Sequence, residues 1–261
     1  MNKLDFVKKK QSGVKISMIT CYDYSFAKIV DSTDLDCILI GDSLAMVMHG
    51  YDSTVHATIE LMSLHTEAVR RGTNKFLVSD MPFMSNRKGV EFASTCAETL
   101  MRAGANSVKI EGAEGNLDII RHLVGSGIPV MGHLGLTPQS VNELGGFRVQ
   151  AKTDLAKEKL LKDSLALEKA GCFALVLECV PSDIAKTVSE SLSIPTIGIG
   201  AGSDCDGQVL VLQDILGLNT DFKPKFVRNY ESYAASTKLS FNLFHKDIQT
   251  GGFPNSEESF L

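Results

Sequence analysis

Short apolar runs alternate with segments of helical spacing along this chain. Eight such runs recur at intervals of a few tens of residues, at 16–20, 37–41, 76–80, 107–112, 129–133, 173–178, 196–200 and 208–212. Runs of this length predict buried strands, and regular alternation with helices predicts a parallel sheet of the α/β class. Eight strands fit a closed (β/α)8 TIM barrel better than an open doubly wound sheet, although the pattern alone leaves both open.

The clearest helical segments carry their own start and stop signals. Thr58 is a candidate N-cap for a helix that ends at Gly72, because its hydroxyl can accept a hydrogen bond from the first turn. Apolar residues recur at three- and four-residue steps over 93–101, which predicts one buried helical stripe. The segments 154–170 and 229–247 predict a Lys-rich helix and a C-terminal helical tail.

The 261 residues contain no linker or shift in composition that would divide them. We therefore expect residues 1–261 to form a single barrel domain with a C-terminal helical tail. Residues 44–57 and 136–153 predict loops, and the length of the second is typical of a lid or a binding loop.

Charge and cysteine content narrow the function classes. A net charge of -5 and a pI near 5.7 argue against a nucleic acid or an acidic membrane as partner, so a small molecule is the expected target. The six cysteines form no C-x-x-C pair, which indicates reduced thiols. No apolar run is long enough to cross a bilayer or form a signal peptide, so we expect a soluble cytoplasmic protein.

Acidic residues lie at the ends of three adjacent predicted strands. Asp42 follows strand 2, Asp80 ends strand 3 and Glu111 lies near the end of strand 4, and the C-terminal ends of barrel strands meet at one mouth. Carboxylates that share a dry pocket raise each other's pKa unless a cation lies among them, and an oxygen cluster suits Mg²⁺. Taken singly, each acid could cap a helix or pair with a lysine, so the metal interpretation depends on all three.

Further strand residues could take part in chemistry at the same mouth. Lys109 shares a face with Glu111, where it could bind a substrate carboxylate, form a Schiff base or simply neutralise the acid. Glu178 ends strand 6 among apolar neighbours, and desolvation would raise its pKa as a general base requires. It could also merely line the mouth, and His133 is either a ligand contact or a hydrogen-bonded structural residue.

Several segments in order carry a family resemblance. They are Thr20–Asp23, Gly41–Leu44, 65–72, Asp80–Met84, 108–112, 131–141, 175–181, 197–202 and 205–211. With these segments the sequence resembles the ketopantoate hydroxymethyltransferase family over nearly its whole length. Ala45 and Ala113 stand where glycine is usual in that family, which puts the shape of two loops in question but removes no reacting group.

The resemblance implies a (β/α)8 barrel that transfers a hydroxymethyl unit from 5,10-methylenetetrahydrofolate to 3-methyl-2-oxobutanoate. The products would be 2-dehydropantoate, also called ketopantoate, and tetrahydrofolate, in pantothenate and coenzyme A biosynthesis. It also implies a homo-oligomer, often a decamer, and a Mg²⁺ ion. By motif, Asp42, Asp80 and Glu111 would be the acids associated with the metal. The 2-oxo acid would be contacted by Asp42, Ser43, Asp80 and Lys109. Glu178 would accept the proton, and His133 would lie near the site.

Two other enzymatic readings fit the same residues. A Mg²⁺-dependent 2-oxo acid aldolase or lyase of the same barrel type would need the same three acids and the same base. A Schiff-base enzyme would use Lys109 as its nucleophile. A barrel that has lost its chemistry and only binds metabolites is disfavoured, because every reacting group is present.

Overall fold

Eight parallel strands close on one another in the computed structural model, which describes residues 1–220 and 224–260. The strands are β1 Ile16–Thr20, β2 Cys37–Ile40, β3 Phe76–Asp80, β4 Ser107–Glu111, β5 Val130–Gly135, β6 Ala174–Glu178, β7 Thr196–Ile199 and β8 Gly207–Leu210. Each strand pairs with the next, and β8 pairs with β1. The closed (β/α)8 barrel is therefore confirmed, and the open sheet is wrong.

Helices precede, connect and follow the strands in the described part of the chain. They are α1 Lys3–Gln11, α2 Tyr24–Asp31, α3 Leu44–Val47, α4 Ile59–Gly72, α5 Val90–Arg102, α6 Leu117–Gly125, α7 Val141–Leu144, α8 Asp154–Ala170, α9 Ser182–Ser191, α10 Leu212–Ile215 and α11 Tyr233–Thr250, with 3₁₀ turns at Thr54–His56 and Pro138–Ser140. The Thr58 side chain accepts from the Leu61 N–H and caps α4, as its position predicts.

The predicted loops are more structured than the sequence indicates. Residues 44–57 contain α3 and a 3₁₀ turn, and residues 136–153 contain a 3₁₀ turn and α7. These helical pieces have three or four residues each, too short for a helical period to be recognised. Helix α1 was not predicted either, since its mostly polar sequence has no apolar stripe.

The chain divides into two compact units, of which the first is Met1–Val211 and contains the barrel. The second begins at Leu212 and contains α10 and α11. Helix α11 corresponds to the predicted helical tail, and it buries none of its side chains. The expectation of one domain over residues 1–261 stays a prediction.

Helix α1 closes the N-terminal end of the barrel. Its Phe6 is fully buried and packs edge-on against Phe76 and Phe173, with ring centroids 5.2 and 5.1 Å apart. Phe76 begins β3 and Phe173 directly precedes β6, so all three rings lie at the starts of the strands. Lys10 reinforces the contact through a 2.8 Å ion pair with Asp206. Active sites of barrels of this class lie at the opposite, C-terminal end of the strands, which α1 leaves open.

Interior side chains change from apolar to charged along the strands. On β3, Val78 and Asp80 share a face because successive side chains of a strand alternate, and on β5 the same holds for Met131 and His133. Val78 and Met131 belong to the buried apolar core. The register pairs His133 with Glu111, so the charged side chains form a layer at the strand ends.

None of the helices in residues 1–220 and 224–260 combines the length and the apolar character that a bilayer crossing requires.

We call the packed rings of Phe6, Phe76 and Phe173 at the N-terminal end of the barrel the Phe6 plug. Loss of this packing is expected to lower stability at a distance from the acid cluster. We expect Phe6→Ala to lower the free energy of unfolding by about 3–5 kcal/mol, because it removes a buried ring and leaves a cavity. Urea unfolding of the purified variant measures this change. Leu4→Ala on the same helix is the control, since Leu4 is 61% exposed. Equal stability of the two variants would contradict a stabilising role for the Phe6 plug.

Candidate active site

The three strand-end acids meet inside the mouth of the barrel. Asp42 follows β2, Asp80 ends β3 and Glu111 ends β4, and their exposed fractions are only 3%, 2% and 8%. The backbone N–H of Asp42 donates to Asp80 Oδ2 at 3.0 Å. Parallel pairing of adjacent strands therefore brings together acids that are far apart in the sequence.

Lys109 lies among these acids. Its Nζ is 3.1 Å from Asp80 Oδ1 and 3.9 Å from Glu111 Oε1. Burial alone would lower the pKa of Lys109, but the charges of Asp80, Glu111 and Asp42 raise it above its usual range. The side chain is therefore an ammonium group, which favours charge pairing and is poorly suited to Schiff-base formation.

His133 connects the acid cluster to Glu178. Its Nδ1 is 3.3 Å from Glu111 Oε1 and 3.0 Å from Lys109 Nζ, and its Nε2 is 3.2 Å from Glu178 Oε2. Burial and the charge of Lys109 lower the pKa of His133, but the flanking carboxylates outweigh both and raise it to about 9. Glu178 thus has a polar partner, whereas its sequence neighbours indicated an apolar setting.

Gln139 is a further residue of the site, and its role is not predicted by the sequence pattern. Its backbone N–H donates to Glu111 Oε2 at 3.1 Å, and its side-chain Nε2 donates to Asp42 Oδ2 at 2.8 Å and to the Met81 carbonyl at 2.9 Å. It lies in the 3₁₀ turn Pro138–Ser140 that follows β5. The sequence signals were the length of the loop, which predicts a binding role, and the resemblance over 131–141, and neither identified this particular residue.

Ser43 is held at the edge of the cluster by a tyrosine. The hydroxyls of Tyr22 and Ser43 are 2.8 Å apart, and Tyr22 is buried. Burial raises the pKa of Tyr22 above its usual range, so the phenol keeps its proton and can donate it to Ser43. Tyr22 belongs to a motif that carries the family resemblance, but its contact with Ser43 could not be seen in the sequence.

Gly135 lets the ends of β5 and β6 approach closely. Its φ is +90°, and a Cβ at this position would lie 2.2 Å from the carbonyl oxygen of Glu178. That carbonyl accepts a 2.8 Å hydrogen bond from the Leu136 N–H. Only glycine adopts this conformation without strain and leaves the space, so Gly135 fixes the backbone of Glu178.

The acidic side chains of the cluster outnumber the basic ones. Four carboxyl groups lie around two basic side chains, Lys109 and His133. Burial, followed by the charges of Glu111 and Asp80, raises the pKa of Asp42 well above its usual range. Within the described residues, the buried Asp80 Oδ1 and Glu111 Oε1 accept no hydrogen bond of good geometry. Such a site suits an added cation.

The described residues do not form a complete set of metal ligands. No three His, Cys, Asp or Glu side chains in residues 1–220 and 224–260 are arranged to hold an ion without help. Asp42 and Asp80 adjoin each other through the 3.0 Å hydrogen bond, whereas Glu111 contacts His133 and Gln139. An ion here would need water or substrate oxygens as further ligands, as Mg²⁺ commonly does.

Comparison with known proteins identifies the family. Residues 1–256 match the family model described as ketopantoate hydroxymethyltransferase. The chain belongs to this family. The family prediction is confirmed, and with it the enzyme class of a hydroxymethyltransferase.

Similar proteins with the family's enzyme name come from several bacteria. A 3-methyl-2-oxobutanoate hydroxymethyltransferase of Bdellovibrio bacteriovorus is 57% identical over 258 residues, which are 98% of either chain. One from Francisella tularensis subsp. novicida is 51% identical over 98% of this chain and 97% of its own. The family similarity therefore extends over nearly the whole length of each protein.

Solved structures with the same fold are more distant in sequence. Phosphonopyruvate hydrolase, in a complex with oxalate and Mg²⁺, has a TM-score of 0.64 and 12% identity, over 99% of this chain and 93% of its own. A 2,3-dimethylmalate lyase of the PEP mutase/isocitrate lyase superfamily has a TM-score of 0.58 and 14% identity, over 99% and 88%. These similarities support the barrel fold of this ketopantoate hydroxymethyltransferase family member.

The raised pKa of Asp42 predicts that its ionised carboxylate destabilises the metal-free fold. The unfolded chain loses this proton near the ordinary value of 3.8, whereas the folded protein retains it to higher pH. The cost is therefore present at neutral pH and disappears as the pH falls below 3.8. We expect Asp42→Asn to raise the free energy of unfolding at neutral pH by on the order of 1 kcal/mol.

Urea unfolding in EDTA at pH 7.5 and at successively lower pH measures this difference. The control is Asp34→Asn, because Asp34 is exposed on the surface. A gain of stability that is the same at every pH, or a loss at neutral pH, would contradict an unfavourable Asp42 charge.

Proposed function

We propose that this enzyme transfers a hydroxymethyl group from 5,10-methylenetetrahydrofolate to 3-methyl-2-oxobutanoate in the cytoplasm. The products are 2-dehydropantoate and tetrahydrofolate, and the step belongs to pantothenate and coenzyme A biosynthesis. The observation that carries the proposal is the buried, incompletely neutralised acid cluster of Asp42, Asp80 and Glu111 in a chain of this family. A cation held among these acids would stabilise the negative charge that develops on a 2-oxo acid.

Asp42 and Asp80 are the residues we assign to hold a Mg²⁺ ion, with Glu111 beside them. The fit rests on the excess of carboxylates and on the buried oxygens Asp80 Oδ1 and Glu111 Oε1, which accept no well-formed hydrogen bond from the described residues. When bound, Mg²⁺ would supply Lewis-acid stabilisation for the keto and carboxylate oxygens of the substrate. Asp42 and Asp80 also border the 2-oxo acid in this assignment.

Lys109 and Ser43 are assigned to bind the 2-oxo acid. Lys109 is a buried ammonium with its Nζ 3.1 Å from Asp80 Oδ1, so it places a positive charge where the substrate carboxylate or the enolate would lie. The Ser43 hydroxyl is oriented by Tyr22 at 2.8 Å and can donate to a substrate oxygen. Charge-assisted hydrogen bonds of this kind are shorter and stronger than neutral ones.

Glu178 is assigned as the base that removes the proton from C3. Its side chain is 16% exposed, so it can reach a molecule in the mouth, and His133 Nε2 is 3.2 Å from its Oε2. Water adds to the methylene carbon of the opened folate iminium, and the carbon–nitrogen bond breaks to give formaldehyde and tetrahydrofolate. The enolate then attacks the formaldehyde carbon, a carbon–carbon bond forms, and the new alkoxide takes up a proton to become the hydroxymethyl group.

The enzyme is further proposed to act as a homo-oligomer, the decamer that the resemblance implies. Apolar side chains along α11 are exposed in the single chain, including Leu239 at 70%, Phe241 at 69% and Leu243 at 58%. Exposed apolar patches of this kind are commonly covered by another protein surface.

The decisive experiment measures tetrahydrofolate release by the purified protein. We expect release that requires both 3-methyl-2-oxobutanoate and 5,10-methylenetetrahydrofolate, is abolished by EDTA and returns with Mg²⁺. Turnover of the 2-oxo acid without folate would instead favour an aldolase or lyase. Activity that survives EDTA, together with a borohydride-trapped adduct on Lys109, would favour the Schiff-base mechanism.

Replacement of the proposed base Glu178 tests its role in proton removal separately from substrate binding. We expect Glu178→Gln to lower kcat by about 10²–10⁴-fold, because an amide cannot accept the C3 proton. Exchange of the C3 deuterium of labelled substrate into water, measured without folate, should slow in parallel. Glu190→Gln on α9 is the matched control, since Glu190 is exposed. Unchanged exchange in Glu178→Gln would assign the base elsewhere.

A further inference from the structure

A cavity of about 560 Å³ lies behind the segment that carries Gln139. Thr137 and Ser140 line this cavity, while Gln139 between them donates to Asp42 and to Glu111. The two faces of one short segment therefore border the acid cluster and the cavity. Volumes of 300 to 1,000 Å³ are ordinary for sites that bind small molecules and cofactors.

The cavity combines apolar walls with charged groups of both signs. Leu134, Leu144 and Leu160 supply apolar surface. Arg87 and Lys159 supply positive charge, and the acids Glu114, Glu143 and Asp163 supply negative charge. Lys159 Nζ is 2.6 Å from Asp163 and 3.7 Å from Glu114. A ligand suited to these walls has a flat apolar body, hydrogen-bond donors at one edge and carboxylates elsewhere.

Two glycines form part of the cavity wall. Gly112 directly follows Glu111, and Gly135 pairs with Glu178 in the β5–β6 ladder. Both glycines line the cavity with φ values of +83° and +90°. Glycine lets a ligand approach the backbone closely, so a molecule in this cavity can lie against the backbone at the ends of β4 and β5, the strands that carry Glu111 and His133.

We propose that this cavity is the binding site of the reduced folate. The pteridine ring is flat, and its 2-amino-4-oxo edge donates hydrogen bonds that the cavity's carboxylates can accept. The glutamate tail carries carboxylates that Lys159 and Arg87 can bind. This assignment rests on the proposed function, because it names the site of the second substrate of that reaction.

The first test fills the cavity without touching the acid cluster. Ala156 lines the cavity on the first turns of α8, whereas its neighbour Leu155 is 78% exposed and does not. We expect Ala156→Trp to weaken the binding of 5-formyltetrahydrofolate, a non-reacting probe, by about tenfold or more. The reason is that the indole would occupy space that the bound ligand needs. Leu155→Trp should bind the probe as wild type does. Isothermal titration calorimetry measures both.

A second test changes charge and leaves shape nearly intact. Lys159→Gln removes a cation from the cavity, and Lys162→Gln removes one from the exposed side of the same helix. We expect Lys159→Gln to raise the KM for 5,10-methylenetetrahydrofolate about threefold to tenfold, with little change in the KM for the 2-oxo acid. A general loss of fold would change both KM values, and Lys162→Gln should change neither.

The possible outcomes test the proposed folate site and the proposed function independently. If wild type releases tetrahydrofolate while Ala156→Trp and Lys159→Gln keep their folate affinity and KM, this cavity is not the folate site and the proposed function stands. If wild type binds the probe and Ala156→Trp does not, the site is supported independently of turnover. If wild type neither binds the probe nor turns over folate, both proposals are overturned.

Discussion

The contact of Lys109 with Asp80 and Glu111 is the interaction on which this site depends. Nζ lies 3.1 Å from Asp80 Oδ1 and 3.9 Å from Glu111 Oε1, and all three side chains are buried. Ionised carboxylates left alone in such a place would be strongly destabilising. Burial, followed by the charges of Glu111 and Asp80 that one ammonium group does not fully offset, raises the pKa of Asp42. The fold therefore holds an acidic cluster whose charges are only partly offset by Lys109.

The remainder of the barrel offsets the cost of burying these charges, because its apolar side chains and its charged side chains form separate layers. The Phe6 plug and the core residues Val78 and Met131 supply apolar burial at the starts and middles of the strands. The parallel register then places His133 beside Glu111 at the strand ends. Because side chains alternate along each strand, a shift by one residue would send every charged group towards the helices. Register is thus as important to the chemistry as the identity of the residues.

Much of this could be predicted from the sequence, because the governing rules are local. The apolar runs predict the strands, and the rule that barrel strands end at one mouth predicts that Asp42, Asp80 and Glu111 lie together. Gln139 could not be found in this way, since its contacts depend on the path of a loop through space. The contact between His133 and Glu178 likewise depends on the arrangement of two neighbouring strand ends. Single-residue context predicted an apolar setting for Glu178, and tertiary contact gave it a polar partner.

Gln139 shows how such non-local contacts connect different parts of the mouth. Its backbone N–H donates to Glu111 and its side chain to Asp42, so two acids from different strands hold one segment of the loop after β5. The neighbouring residues Thr137 and Ser140 form part of the cavity wall. A group that takes over the Asp42 oxygen competes directly with the Gln139 amide, because both act on the same carboxylate. The shape of the cavity wall and the charge state of the acid cluster are therefore linked through a single side chain.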